Sequence, residues 1–142
     1  MFFDTFGRTL LRASEVLRED VRPAIDDVFL IQQIDALAVI VGEVGGAWQD
    51  LFAALQQQNA ILDETLAGSG VTPPTQEAPA DPLAHNAALL RALDERVTQL
   101  HDANDDQRLR AVRQGLRRAA VVEQELLTAA RERAGSAAIR RL

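Results

Sequence analysis

Four of the chain's five prolines stand between Pro73 and Pro82, and this placement constrains the fold more than any other feature. Proline lacks an amide hydrogen and clashes with the carbonyl four residues back, so helix interiors exclude it. On either side of the cluster lie long stretches dominated by Ala, Leu, Arg, Gln and Glu, interrupted by Pro23 alone. These are strong helix formers. Tyr is absent and aromatic residues make up 4% of the 142 residues, so a sheet would lack the side chains that suit a pleated surface. The expectation is an all-α protein, a helical bundle of four to five helices. A chain of this length forms one domain and buries roughly two-thirds of its unfolded surface.

Apolar spacing divides the chain further. Residues 4–21 read as a first helix, with Phe3, Phe6, Leu10, Ala13 and Leu17 on one stripe. Pro23 predicts a corner near residue 22. A second helix, about 23–43, is apolar on nearly every side, which predicts a buried central helix. Asp26 and Asp27 sit near its positive end. Gly42, Gly45 and Gly46 predict a break. A third helix, about 47–67, carries Trp48, Phe52, Leu55, Leu62 and Leu66, with Asn59 interrupting the stripe. Residues 1–67 thus form an N-terminal helical part, 68–82 a mobile Pro/Gly-rich linker, and 83–142 a C-terminal antiparallel helical hairpin. Asp81-Pro82 reads as a cap followed by proline at the first helical position. Leu83, Leu90, Leu93, Val97 and Leu100 make the clearest seam, at coiled-coil spacing, and predict self-association through the hairpin.

Charge is unevenly placed. The net charge is −6 and all 15 basic residues are Arg, a bias consistent with GC-rich bacterial coding. Residues 1–70 hold 4 Arg against 11 acids, whereas residues 105–142 hold 9 Arg against 5 acids. The acidic balance argues against nucleic-acid binding. Without cysteine there is no disulfide, thiolate metal site or cysteine nucleophile. The start, Met1-Phe2-Phe3-Asp4, lacks the pattern of a secretory signal. The apolar run Val28 to Val41 contains Gln32, Gln33 and Asp35 and reads as too short and polar to span a bilayer. The expected location is the cytoplasm.

Neither His85 nor His101 follows a Glu by three residues, so the di-metal carboxylate motif is not formed. No zinc-type spacing occurs. Both histidines read as solvated helix-end residues. Gly68-Ser69-Gly70 lacks the strand–turn–helix context of a nucleophile elbow. No catalytic constellation, metal site or cofactor site is expected. Asp35, inside an apolar helix, favours a buried ion pair with an Arg of the first or last helix, because an unpartnered buried carboxylate is costly. The alternative is a polar groove shared with Glu43, about 12 Å along the helix axis. Arg110, Arg113 and Arg117 form a basic stripe that suits an acidic partner or a phosphate-bearing small ligand. Its ordinary reading is a solvated helix face.

One segment carries a resemblance. Leu17-Arg-Glu-Asp-Val-Arg-Pro-Ala-Ile25, followed by Asp35-Ala-Leu-Ala-Val-Ile-Val-Gly-Glu43, resembles small helical bacterial proteins that accompany aminoglycoside-phosphotransferase-like kinases and acyl-CoA dehydrogenases. Those proteins share an acidic helix ending in Val-x-Pro-Ala and a second helix patterned Asn-Ala-Leu-Ala-Ile-Val-x-Arg-Glu. Glu43 matches, whereas Asp35 stands in place of Asn and Gly42 in place of Arg. The resemblance implies an accessory subunit of a small-molecule kinase or acyl-CoA-related enzyme. Read from its residues, the chain is expected to be a non-catalytic helical interaction protein with a protein partner or self-association. A ligand-binding bundle with a groove around Asp35 and Glu43 is the alternative.

Overall fold

The computed structural model describes residues 2–75 and 81–139, with side chains described from Thr5 and as far as Gly135. Five α-helices account for most of it: α1 (Phe2–Val16), α2 (Val28–Ala47), α3 (Leu51–Gly68), α4 (Pro82–Asp102) and α5 (Asp106–Ile139). Among the described residues there is no strand. The all-α bundle with a C-terminal hairpin is therefore the fold.

The expected corner forms at Pro23, but it is more elaborate than a single kink. A π-helical turn, Leu17–Val21, follows α1, and a 3-10 turn, Arg22–Ala24, carries the proline. Ile25 is extended, so α2 begins later than expected. Asp27 caps α2, its carboxylate accepting hydrogen bonds from the amides of Phe29 (2.8 Å) and Leu30 (3.1 Å). Asp81 caps α4 the same way, through the amides of Leu83 and Ala84. Between α4 and α5, Asn104 takes the left-handed conformation (φ 53°) that short polar side chains tolerate best after glycine.

Two compact units result. The second runs without interruption from Phe52 to Gln124 and holds most of α3, all of α4 and the first half of α5. Its core is Leu62 and Leu66 from α3, Leu89, Leu93 and Leu100 from α4, and Leu109, Val112 and Ala119 from α5. The expected α4 seam holds at Leu93, Val97 and Leu100 and departs at the start of the helix. Leu89, Leu93 and Leu100 are buried against α3 and α5, whereas Leu83 and Leu90 face out. In the first half Leu89 takes the buried place that the seven-residue spacing gives to Leu90. Asn59 is buried in this unit: its Nδ2 donates to the Pro82 carbonyl at 2.9 Å, and its Oδ1 accepts from Asn86 Nδ2 at 2.7 Å. The beginning of the proline-rich stretch is also tied down. Ser69 is buried and donates to the Leu66 carbonyl, while Arg96 donates to the Ser69 carbonyl. Residues 76–80 of the expected linker lie outside the described residues.

The first unit draws on the chain up to Leu51 and again from Glu125 onward. In it α1 packs along α2, and Phe6 stacks at a tilt on Trp48 with ring centroids 4.7 Å apart. Ser14 and Gly7 are buried on α1, whereas Ala13 of the expected stripe is exposed. Division between the units falls at residues 51–52 and 124–125 and not in the proline-rich stretch.

Candidate interaction surface

α2 overturns two expectations. Gly42, Gly45 and Gly46 do not break it; the helix runs on to Ala47. Nor is it the buried centre of its unit. Its buried residues are Ala38, Gly42, Gly45, Gly46 and Ala47, all small. Its large apolar residues Val28, Phe29, Leu30, Leu37, Val39, Ile40 and Val44 are exposed, with Phe29 at 67% and Ile40 at 59%. The helix is packed by its smallest side chains and presents its largest ones to the outside.

The glycines explain why. A methyl group on Gly42 would come within 2.9 Å of Ser14 Oγ and 3.5 Å of Ala134 Cβ. One on Gly45 would lie 2.8 Å from the Leu11 amide nitrogen. One on Gly46 would collide with the Ala130 carbonyl oxygen. The backbones of α1 and of the end of α5 therefore approach α2 so closely that only hydrogen fits between them. Ser14 completes the contact by donating to the Ala38 carbonyl at 2.6 Å. Small residues permit such approach, as they do between membrane helices. The side of α2 left over then has to carry Leu30, Gln33, Leu37, Ile40 and Val44. By length and composition, α2 is the one described helix long and apolar enough to cross a membrane, with 17% of its apolar window buried.

Asp35 and Glu43 do not share a groove. Asp35 Oδ1 accepts from Arg22 Nε at 2.8 Å, but Arg22 belongs to the 3-10 turn, and both side chains are close to half exposed. The expected buried pair with an Arg of the first or last helix is replaced by a semi-exposed local one. The chain's early exit from α1 brings Arg22 beside the flank of α2. Glu43 binds Arg131 of α5 at 2.7 Å. Arg133 donates to the Gly46 carbonyl at 2.8 Å and to the Asp50 carboxylate, supplying a cation where the α2 dipole is negative. Each carboxylate is thus engaged with its own guanidinium.

Arg110, Arg113 and Arg117 are exposed along α5 and take no ion pair among the described residues. Their neighbours Arg108 and Arg118 do, with Asp105 and Glu64, both at 3.2 Å. His85 is not a solvated helix-end residue: its side chain is 9% exposed and its Nε2 lies 3.1 Å from Asp63 Oδ2. Among the described residues, no three His, Asp or Glu side chains gather where a metal ion would fit. Sequence reasoning missed the exposed side of α2. The signal was there, in the small residues at positions 38, 42, 45 and 46 opposite the large ones at 37, 40 and 44.

No protein-family model, curated protein or solved structure matches this chain.

Proposed function

We propose that the chain is a non-catalytic helical interaction protein whose working surface is the outward apolar side of α2. The observation that carries this reading is the inversion of α2, with small residues packed inside and Phe29, Leu37, Ile40 and Val44 exposed. Contiguous exposed apolar surface on a helical protein marks an interaction site, because leaving it wet costs about 25 cal/mol per Å². The resemblance over residues 17–43 falls on this same segment and supports a role as accessory subunit to a small-molecule kinase or acyl-CoA-related enzyme. The ligand-groove alternative loses its polar lining, since Arg22 and Arg131 already engage Asp35 and Glu43. A phosphate ligand on Arg110, Arg113 and Arg117 would meet side chains that are exposed along a helix face.

The chain has no cysteine, so single introduced thiols report on single positions. In the cells that produce the protein, Ile40→Cys is expected to react with a permeant maleimide several-fold more slowly than Arg113→Cys, because the α2 side is covered. Equal rates would overturn the reading.

A further inference from the structure

We infer that the occupant of the exposed side of α2 is the same side of α2 from a second copy of this chain. The inference rests on the interaction reading above and names its partner. Three observations carry it.

Spacing comes first. Leu30, Gln33, Leu37, Ile40 and Val44 recur at alternating intervals of three and four, and four of the five are exposed large apolar residues. This is the seam of a coiled coil, which only another helix can read. Lipid reads hydrophobicity and not spacing, and a lipid-facing seam would not place Gln33 beside Gln32. A single polar residue in a helix–helix seam is ordinary, since it sets register at some cost in stability. Moreover, α1 packs on α2 and exposes Arg8 and Arg12, so α2 cannot enter a bilayer without taking those charges with it.

Charge is the second observation. Positions flanking the seam are Phe29, Ala36, Ile34 and Val41, with Glu43 the one charged neighbour and already bound to Arg131. In helix pairs of different chains, flanking charges select the partner. Here there is no charge code for a foreign helix to complement, and nothing that opposes self-pairing. The net charge of −6 lies elsewhere on the molecule.

Area is the third. The exposed parts of Phe29, Leu30, Leu37, Ile40 and Val44 come to about 500 Å² of apolar surface, the size of the largest patch on an ordinary monomer. Two such faces bury at most about 1,000 Å², the low end for a biological interface, so the expected complex is a weak, reversible dimer.

Sedimentation equilibrium of the purified full-length chain, from low to high micromolar concentration, tests this directly. The expected result is a reversible dimer whose dissociation constant Ile40→Glu raises at least about tenfold, a change of 1.4 kcal/mol. Ile40 is exposed, so the variant should keep its helical circular dichroism. Val121→Glu, at another exposed apolar position, should leave the dimer intact. Leu37→Cys lies near the midpoint of α2 and should oxidise to a covalent dimer. A chain that stays monomeric at high micromolar concentration overturns the inference. So does a dimer indifferent to Ile40→Glu, and so does a monomer that floats with phosphatidylcholine vesicles. If the pure chain is monomeric but Ile40→Cys is still shielded in cells, a foreign partner covers α2, and only the second-copy inference falls.

Discussion

At Gly45 an added methyl group would sit 2.8 Å from the backbone nitrogen of Leu11 and 2.9 Å from the carbonyl oxygen of Gly7. Both are backbone atoms of α1, which cannot rotate away as a side chain can. Alanine at a helical glycine gains about 1 kcal/mol of intrinsic propensity, but overpacking a close contact costs about 1–3 kcal/mol. Overpacking wins at Gly45, and more clearly at Gly46, where the obstacle is the Ala130 backbone. Gly135 is the internal control: it lies within α5 and a methyl group there meets nothing within 4 Å. Urea denaturation is therefore expected to show Gly45→Ala and Gly46→Ala destabilised by up to about 2 kcal/mol net. Gly135→Ala should instead be stabilised by up to about 1 kcal/mol. Stabilisation in all three would mean that α1 and α5 do not approach α2 as closely as the structure has them.

Among the elements, α3 and α4 are joined by a polar network as well as by leucines. Asn86 Nδ2 donates to Asn59 Oδ1 and to Gln58 Oε1, Asn59 donates to the Pro82 carbonyl, and His85 meets Asp63. Removing a buried member leaves its partners without hydrogen bonds, at about 1–3 kcal/mol. An ion pair near half exposure, such as Asp35 with Arg22, is worth about 0–1 kcal/mol. Asn59→Ala should accordingly lower the unfolding midpoint clearly, whereas Asp35→Ala should barely move it. Thermal melts of the two variants side by side decide the order, and a larger loss for Asp35→Ala would contradict it. The sequence puts its emphasis on Asp35 as a buried carboxylate because it interrupts an apolar run, but that run is apolar without being buried. Helix identity, the corner at Pro23 and the cap at Asp81 were legible because they depend on local rules. The continuity of α2 was not, because a local glycine penalty of about 1 kcal/mol per residue yields to tertiary packing. Nor was its exposure, because hydrophobicity on all sides implies burial only when the large side chains are the ones that pack. The pairing of Asp63 with His85 joins residues 22 apart and has no sequence signature.

On the scale of the whole molecule, the two units are built differently along the chain. The first needs both ends of the sequence, up to Leu51 and from Glu125 onward, so no single piece of chain contains it. The second is continuous from Phe52 to Gln124 and holds its own core of eight buried apolar residues from three helices. It also retains the Asn59 network and the Asp81 cap. A chain near 70 residues is close to the lower limit for independent folding, where roughly 60% of the unfolded surface becomes buried. Three helices with leucine-rich contacts meet that limit, and although residues 69–81 make a long connection, closure entropy grows only slowly with loop length. The fragment 52–124, produced alone, is thus expected to be helical and to unfold in one cooperative transition. Its urea dependence should be near 1 kcal/mol per molar, the low end for small proteins. Because the fragment lacks α2, it should sediment as a monomer at concentrations where the full chain pairs. A broad, non-cooperative melt would show that the core from Leu62 to Ala119 does not hold without the remainder of the chain. A fragment that dimerises as strongly as the full chain would move the association surface away from α2, to the outward Leu83 and Leu90 of α4.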